Sequence, residues 1–134
     1  MKILVSACLL GENCKYSGGN NYNQAVCDFA RGHQVVPVCP EVLGGLPTPR
    51  CPAEIVKGVV TNKEGINVDR EFRAGAAKAL AIAKENRVEL AILQSRSPSC
   101  GVKEIYDGTF SGTKIPGQGV FAKMLMDEGV RVLD

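Results

Sequence analysis

Six cysteines stand out in this chain of 134 residues: Cys8, Cys14, Cys27, Cys39, Cys51 and Cys100. Thiolates bind soft metals and iron–sulfur clusters, attack electrophiles and exchange disulfides. The stretches between successive cysteines hold 5, 12, 11, 11 and 48 residues, so no CxxC pair exists. Zinc ribbons, thioredoxin-like motifs and ferredoxin cluster loops all use close pairs, and the spacing argues against each. The opening apolar run is short and is broken by Gly11, Glu12 and Asn13, unlike the core of a signal peptide. No segment approaches the ~20 apolar residues of a membrane span. A cytoplasmic location is therefore expected, where cysteines stay reduced and serve as metal or redox ligands rather than as a disulfide framework. Any metal would gather its ligands from distant parts of the chain.

Other reactive residue types are scarce. His33 is the single histidine, which excludes multi-His zinc sites and leaves any nucleophilic triad dependent on one imidazole. The net charge of +2 creates no field that would favour nucleic acid or anionic membrane, and seven Phe and Tyr with no Trp offer few stacking surfaces. Neither partner is expected. Glu41 lies two residues after Cys39, and Ser97 three before Cys100. A carboxylate among thiolates and apolar walls suits proton transfer near neutral pH. Ser97 precedes Pro98, so it has the alternative of satisfying a backbone amide in a turn. Arg50 and Lys103 could hold an anionic group, with solvation or an ion pair as the plainer account, and His33, following Gly32, is expected at the surface.

The elements that must position these residues follow from hydrophobic pattern. Lys2–Ser6, Gln34–Val38 and Val88–Gln94 read as buried strands, with a last small strand over Val130–Leu133. Asn23–Arg31 reads as a short helix closed by Gly32, and Val120–Glu128 as a helix ended by Gly129. Asp69 is expected to cap a long helix running through Glu85, in which Phe72, Ala76, Ala79, Leu80 and Ala83 recur at helical spacing. Glu54–Val60 and Gly65–Val68 suggest a hairpin turning at Thr61–Glu64. The Pro-rich stretch Val42–Pro52 reads as a shaped loop and the Gly-rich stretch Tyr106–Gly119 as a loop or lid. Alternation of strand and helix in one domain, residues 1–134, predicts an α/β three-layer, Rossmann-like architecture: a mostly parallel sheet, helices on both faces and a small hairpin insertion.

In such sheets the site lies at the carboxyl ends of the strands. The segments after three strands each deliver one cysteine there: Cys8, Cys39 and Cys100. Three thiolates suit a soft metal or an iron–sulfur cluster and leave a coordination position open for substrate. Against this stands the reading of cysteine as a small apolar filler, which fits Cys27 in its helix and Cys51 in its loop better. Cys14 is a candidate additional thiol: a fourth ligand, a resolving thiol or a structural residue.

The sequence blocks Val5-Ser-Ala-Cys8-Leu-Leu-Gly11, Cys14-Lys-Tyr-Ser-Gly18, Pro37-Val-Cys39-Pro-Glu41 through Arg50, and Ser95-Arg-Ser-Pro-Ser-Cys100-Gly101 resemble the thiouracil desulfurase family of small bacterial single-domain proteins. The resemblance spans nearly the whole chain. It implies a [4Fe-4S] cluster held by Cys8, Cys39 and Cys100 with one iron free, and a non-redox desulfidase acting on a small thiolated base such as 2-thiouracil. It further implies Glu41 as acid/base group, Ser97 as assisting hydroxyl, and the iron–sulfur assembly machinery as partner. Arg50, Tyr106 and Asp107 become candidates for holding substrate, and the loop around Tyr106, Asp107, Thr109 and Phe110 for covering it. Ser17 stands where aspartate is common in the family and Cys51 where proline is common, departures that bear on substrate choice. The alternatives are a non-catalytic cysteine module that binds or senses metal or an iron–sulfur cluster, and a thiol redox enzyme using Cys8 and Cys14.

Overall fold

A computed structural model describes residues 1–134. Four strands form one parallel sheet in the order β2-β1-β5-β8, comprising β1 (Lys2–Ser6), β2 (Gln34–Val38), β5 (Leu90–Ile92) and β8 (Arg131–Leu133). Side chains alternate across a strand, so Ile3, Val5, Leu90 and Ile92 pack on one face with Ala30 and Val26 of α1 (Gln24–Ala30). Leu4, Ala91 and Leu93 face the other way, toward Phe72, Ala76 and Ala79 of α3 (Asp69–Glu85) and Phe121, Ala122 and Leu125 of α4 (Val120–Asp127). The expected three-layer α/β architecture is therefore present.

Several details differ from the sequence reading. The hairpin is β3 (Ala53–Val56) with β4 (Val59–Asn62), and it turns at Lys57-Gly58, where both residues have positive φ, +50° and +82°. Such a pair matches the right-handed twist of the strands. The expected turn at Thr61–Glu64 exists as a second reversal after the hairpin, with Thr61 bridged antiparallel to Asn67 and the Asn62 side chain accepting from the Glu64 and Ile66 amides. A second hairpin replaces the expected loop, pairing β6 (Glu104–Tyr106) with β7 (Lys114–Pro116). Asp69 does not cap α3; the cap position is Val68. Its carboxylate accepts instead from the Val60 amide at 3.0 Å and from Arg73 Nε at 2.8 Å, tying the first hairpin to the helix. His33 is half-buried against the Phe29 ring.

A four-residue helix, α2 (Pro40–Leu43), begins where a loop was expected after β2, with Pro40 in its first turn, where the missing amide costs nothing. It rests directly on α3. A Cβ on Gly75 would overlap the Pro40 carbonyl oxygen, and one on Gly44 would overlap the Glu71 carbonyl. Two glycines thus set how close α2 lies to the long helix.

Candidate active site

The carboxyl ends of the strands open into one cavity of about 430 Å³. Cys8 enters from a single 3-10 turn over Ala7–Leu10, immediately after β1, and that turn closes on Gly11 at φ +98°. Cys39 occupies the cap position of α2, directly after β2. Cys100 follows the end of β5 by eight residues, at the close of a turn in which Ser97 Oγ accepts from the amides of Ser99 and Cys100, both at 3.1 Å. All three thiols line the cavity, and so does Cys14. Cys27 and Cys51 do not; Cys27 is half-buried in α1, its thiol 3.8 Å from the Leu9 carbonyl oxygen.

Burial pushes the Cys100 thiol up to about 12, against hydrogen bonds from Ser6 and Ser99. Burial raises Cys8 as well, opposed by the Asn21 amide, whose Nδ2 donates to Cys8 Sγ at 3.4 Å. Cys14 rises to about 12 through burial and then through the adjoining Cys39. The metal-free pocket therefore keeps these sulfurs protonated, and a cation would have to displace their protons to be bound. No three thiol, carboxylate or imidazole groups lie close enough to hold a single metal ion. Four thiols line one cavity of this size, a donor set that suits a polynuclear group.

Glu41 projects from the first turn of α2 into the same cavity. Arg50 Nε stands 3.1 Å from its Oε1. The remaining Arg50 donors go to the Cys14 carbonyl at 2.9 Å, to Thr48 Oγ1 and to the Pro47 carbonyl, and the side chain is only 7% exposed. Arg50 is thus an internal clamp that fixes the carboxylate. The other oxygen, Oε2, accepts from Ser99 Oγ at 2.9 Å and lies 3.5 Å from Ser97 Oγ, while the two hydroxyls are 2.9 Å apart. Ser97 therefore satisfies the amides of its turn, and the same hydroxyl lies toward the carboxylate.

Ser99, fully buried between Glu41 and Cys100, was not singled out by sequence reasoning. Its signal was present in its place one residue before a candidate ligand. Tyr106 lines the cavity, whereas Asp107 does not. The Asp107 carboxylate accepts from Thr109 N and Oγ1 within its own loop, and those bonds hold it below the usual carboxylate range. Lys103 is an exposed residue near Asp134.

A parallel α/β sheet whose carboxyl edge carries thiols and a clamped carboxylate in one cavity has the donor set to hold a sulfur-ligated cofactor or metal beside a substrate. Residues 3–134 match the 2-thiouracil desulfurase family, and the chain belongs to it. It is 43% identical over 141 residues to the uncharacterized protein YbbK of Bacillus subtilis (strain 168), covering 98% of this chain and 93% of that relative. The fold is similar to the solved structure of a [4Fe-4S]-dependent thiouracil desulfidase, TudS, with a TM-score of 0.92, 38% identity and coverage of 98% and 89% of the two chains. No helix is long and apolar enough to cross a membrane.

Proposed function

We propose that this enzyme replaces the sulfur of a small thiolated heterocycle such as 2-thiouracil with oxygen from water, using a [4Fe-4S] cluster held by Cys8, Cys39 and Cys100. The carrying observation is that Glu41, clamped by Arg50 and Ser99, shares one cavity with all three thiols. A storage or sensing module has no use for a fixed base beside its ligands, so this pairing favours catalysis. When bound, the cluster supplies a Lewis-acidic iron for the substrate's sulfur.

The chain's own residues supply the proton chemistry. The overall change, thiocarbonyl plus water to carbonyl plus hydrogen sulfide, moves no net electrons. Glu41 Oε2 takes the proton of the attacking water. Ser99 Oγ, 2.9 Å from that oxygen and 2.9 Å from Ser97 Oγ, links the carboxylate to a second hydroxyl through which a proton can reach the departing sulfur. Arg50 keeps the carboxylate in place while its proton inventory changes.

Anaerobic reconstitution with iron and sulfide, followed by bound iron and uracil formed from 2-thiouracil, tests the proposal. Wild type is expected to bind iron and turn over, and Cys100→Ala to do neither. Glu41→Gln should keep its iron and lose about a hundredfold or more in kcat, the range for a removed acid/base group. Wild-type protein that takes up no iron, or Glu41→Gln with undiminished turnover, would overturn it.

A further inference from the structure

The seven aromatic rings of this chain are unevenly spent. Phe72 and Phe121 fill the core, and Phe29 and Tyr22 lie exposed in and beside α1. The remaining three, Tyr16, Tyr106 and Phe110, all line the cavity. Phe110 is held there by unusual means. It lies in the loop between β6 and β7 with φ +57°, a conformation that bulky side chains avoid. Of the three other non-glycine residues with positive φ, Lys57 occupies the hairpin turn and Arg87 follows the end of α3. Each of those two has a local reason. Phe110, in the longer connection of the second hairpin, and Arg96, after β5, both line the cavity. Strain at such positions persists only where surrounding structure imposes it, and it marks functional loops.

The imposing group is Glu54 of β3. One oxygen of its half-buried carboxylate accepts from the Gly108 amide at 3.0 Å and from the Phe110 amide at 3.1 Å. Gly108, at φ +93°, lies so close to β3 that an added Cβ would stand 2.7 Å from the Ile55 carbonyl oxygen. The loop's far side is tied internally, by Asp107 to Thr109 and by the hydroxyls of Thr109, Ser111 and Thr113 at 2.6 and 2.9 Å. The first hairpin thus straps the second across the cavity mouth. Glu54 lines the cavity, yet its amide partners show it engaged with backbone.

We infer that Glu54 is a positioning residue that presents Phe110 as an aromatic wall, so that the pocket selects planar, ring-shaped thiocarbonyl compounds over acyclic ones. This deepens the proposed function and rests on it for the identity of the reacting group. An aromatic face stacks over the whole area of a conjugated ring and covers far less of a small acyclic thiocarbonyl, although both are flat.

The test uses reconstituted holoenzyme with 2-thiouracil and with thiourea, which carries the same thiocarbonyl without a ring. Phe110→Ala is expected to raise KM for 2-thiouracil about tenfold, the scale of one lost aromatic contact, with a smaller effect on kcat, and to narrow the preference for 2-thiouracil over thiourea. Glu54→Ala should do the same and also speed hydrogen exchange at the amides of residues 108 and 110. Glu54→Gln, which retains an acceptor oxygen, should restore most of both. If wild type carries its full iron yet turns over neither probe, the proposed function fails, and equilibrium dialysis of 2-thiouracil then reads the same variants, with about tenfold weaker binding expected. The inference is overturned if Phe110→Ala leaves KM, or dialysis affinity, and probe preference at wild-type values. It is overturned equally if the two loop amides stay protected in Glu54→Ala.

Discussion

On the floor of the cavity, Cys8 and Cys100 are buried at 9% and 4% exposure within the two core clusters that sandwich the sheet, whereas on its rim Tyr106 and Phe110 belong to a hairpin whose strand β7 is exposed throughout. The floor is fixed by packing that cannot yield without loss of the fold. The rim is fixed by a few hydrogen bonds to side chains, above all those of Glu54. The thiols are thereby placed by the long-range core, and the aromatic rings of the rim by local bonds that substitution can retune. On the proposed function, chemistry and selectivity have separate supports.

The widest separation between floor and rim is expected at alkaline pH in metal-free protein. Cys8, Cys14 and Cys100 are all raised above the ordinary thiol value of 9.0, Cys14 and Cys100 to about 12. The folded state then keeps protons that the unfolded chain loses, so stability is fully present below pH 9 and falls as pH climbs toward 12. Denaturant midpoints measured against pH should show this decline, and Cys100→Ala should lessen it, leaving the share of Cys8 and Cys14; an unchanged slope would mean that the Cys100 thiol is not held by burial.

Next in size is Gly75→Ala. The added methyl collides with the Pro40 carbonyl and lifts α2 from α3, and a loss of about 1–3 kcal/mol is expected from overpacking a close contact. Because α2 carries Cys39 and Glu41, iron uptake should fall as well, which calorimetry and iron content together would show. Retained uptake would sever the floor from the core.

Ser99→Ala removes the buried donor to Glu41 Oε2. A loss of about tenfold in kcat is expected, equivalent to one hydrogen bond to a charged group, with iron content unchanged. The smallest effect is assigned to Asp69→Ala, which breaks the tie between the first hairpin and α3. Burial pushes the Asp69 carboxyl up, but the Val60 amide and Arg73 outweigh it and leave the group below 3.8. Its contribution, about 1 kcal/mol for the lost bonds, is present above that value and fades as pH falls through the lower folded one. Thermal unfolding of wild type and variant should converge in strong acid.

How much of this was legible in the sequence differs between the same two regions. Strands β1, β2 and β5 announce themselves by apolar runs, and the topology of a parallel sheet then brings Cys8, Cys39 and Cys100 to one edge. Chain-wide pattern predicts what the chain-wide core decides. The second hairpin was hidden because its strands are three residues long, and the turn of the first was misplaced because the cue at Lys57-Gly58 is weaker than the Asn62 turn beside it. Arg50 as a clamp, Ser99 as the partner of Glu41 and Glu54 as an anchor are contacts between residues 9, 58 and 54 to 56 positions apart. No periodicity encodes such pairings.

The close seat of α2 on α3 makes Cys39 and Glu41 a single rigid part. A four-residue helix carries the metal-ligand candidate at its cap and the proposed base in its first turn, and two glycines bolt it to the longest helix in the molecule. Thermal displacement of α3 moves both groups in step and preserves the separation between them. The helix acts as a jig: the distance between sulfur and carboxylate is fixed within one turn of backbone, whatever the rest of the cavity does as substrate enters and product leaves.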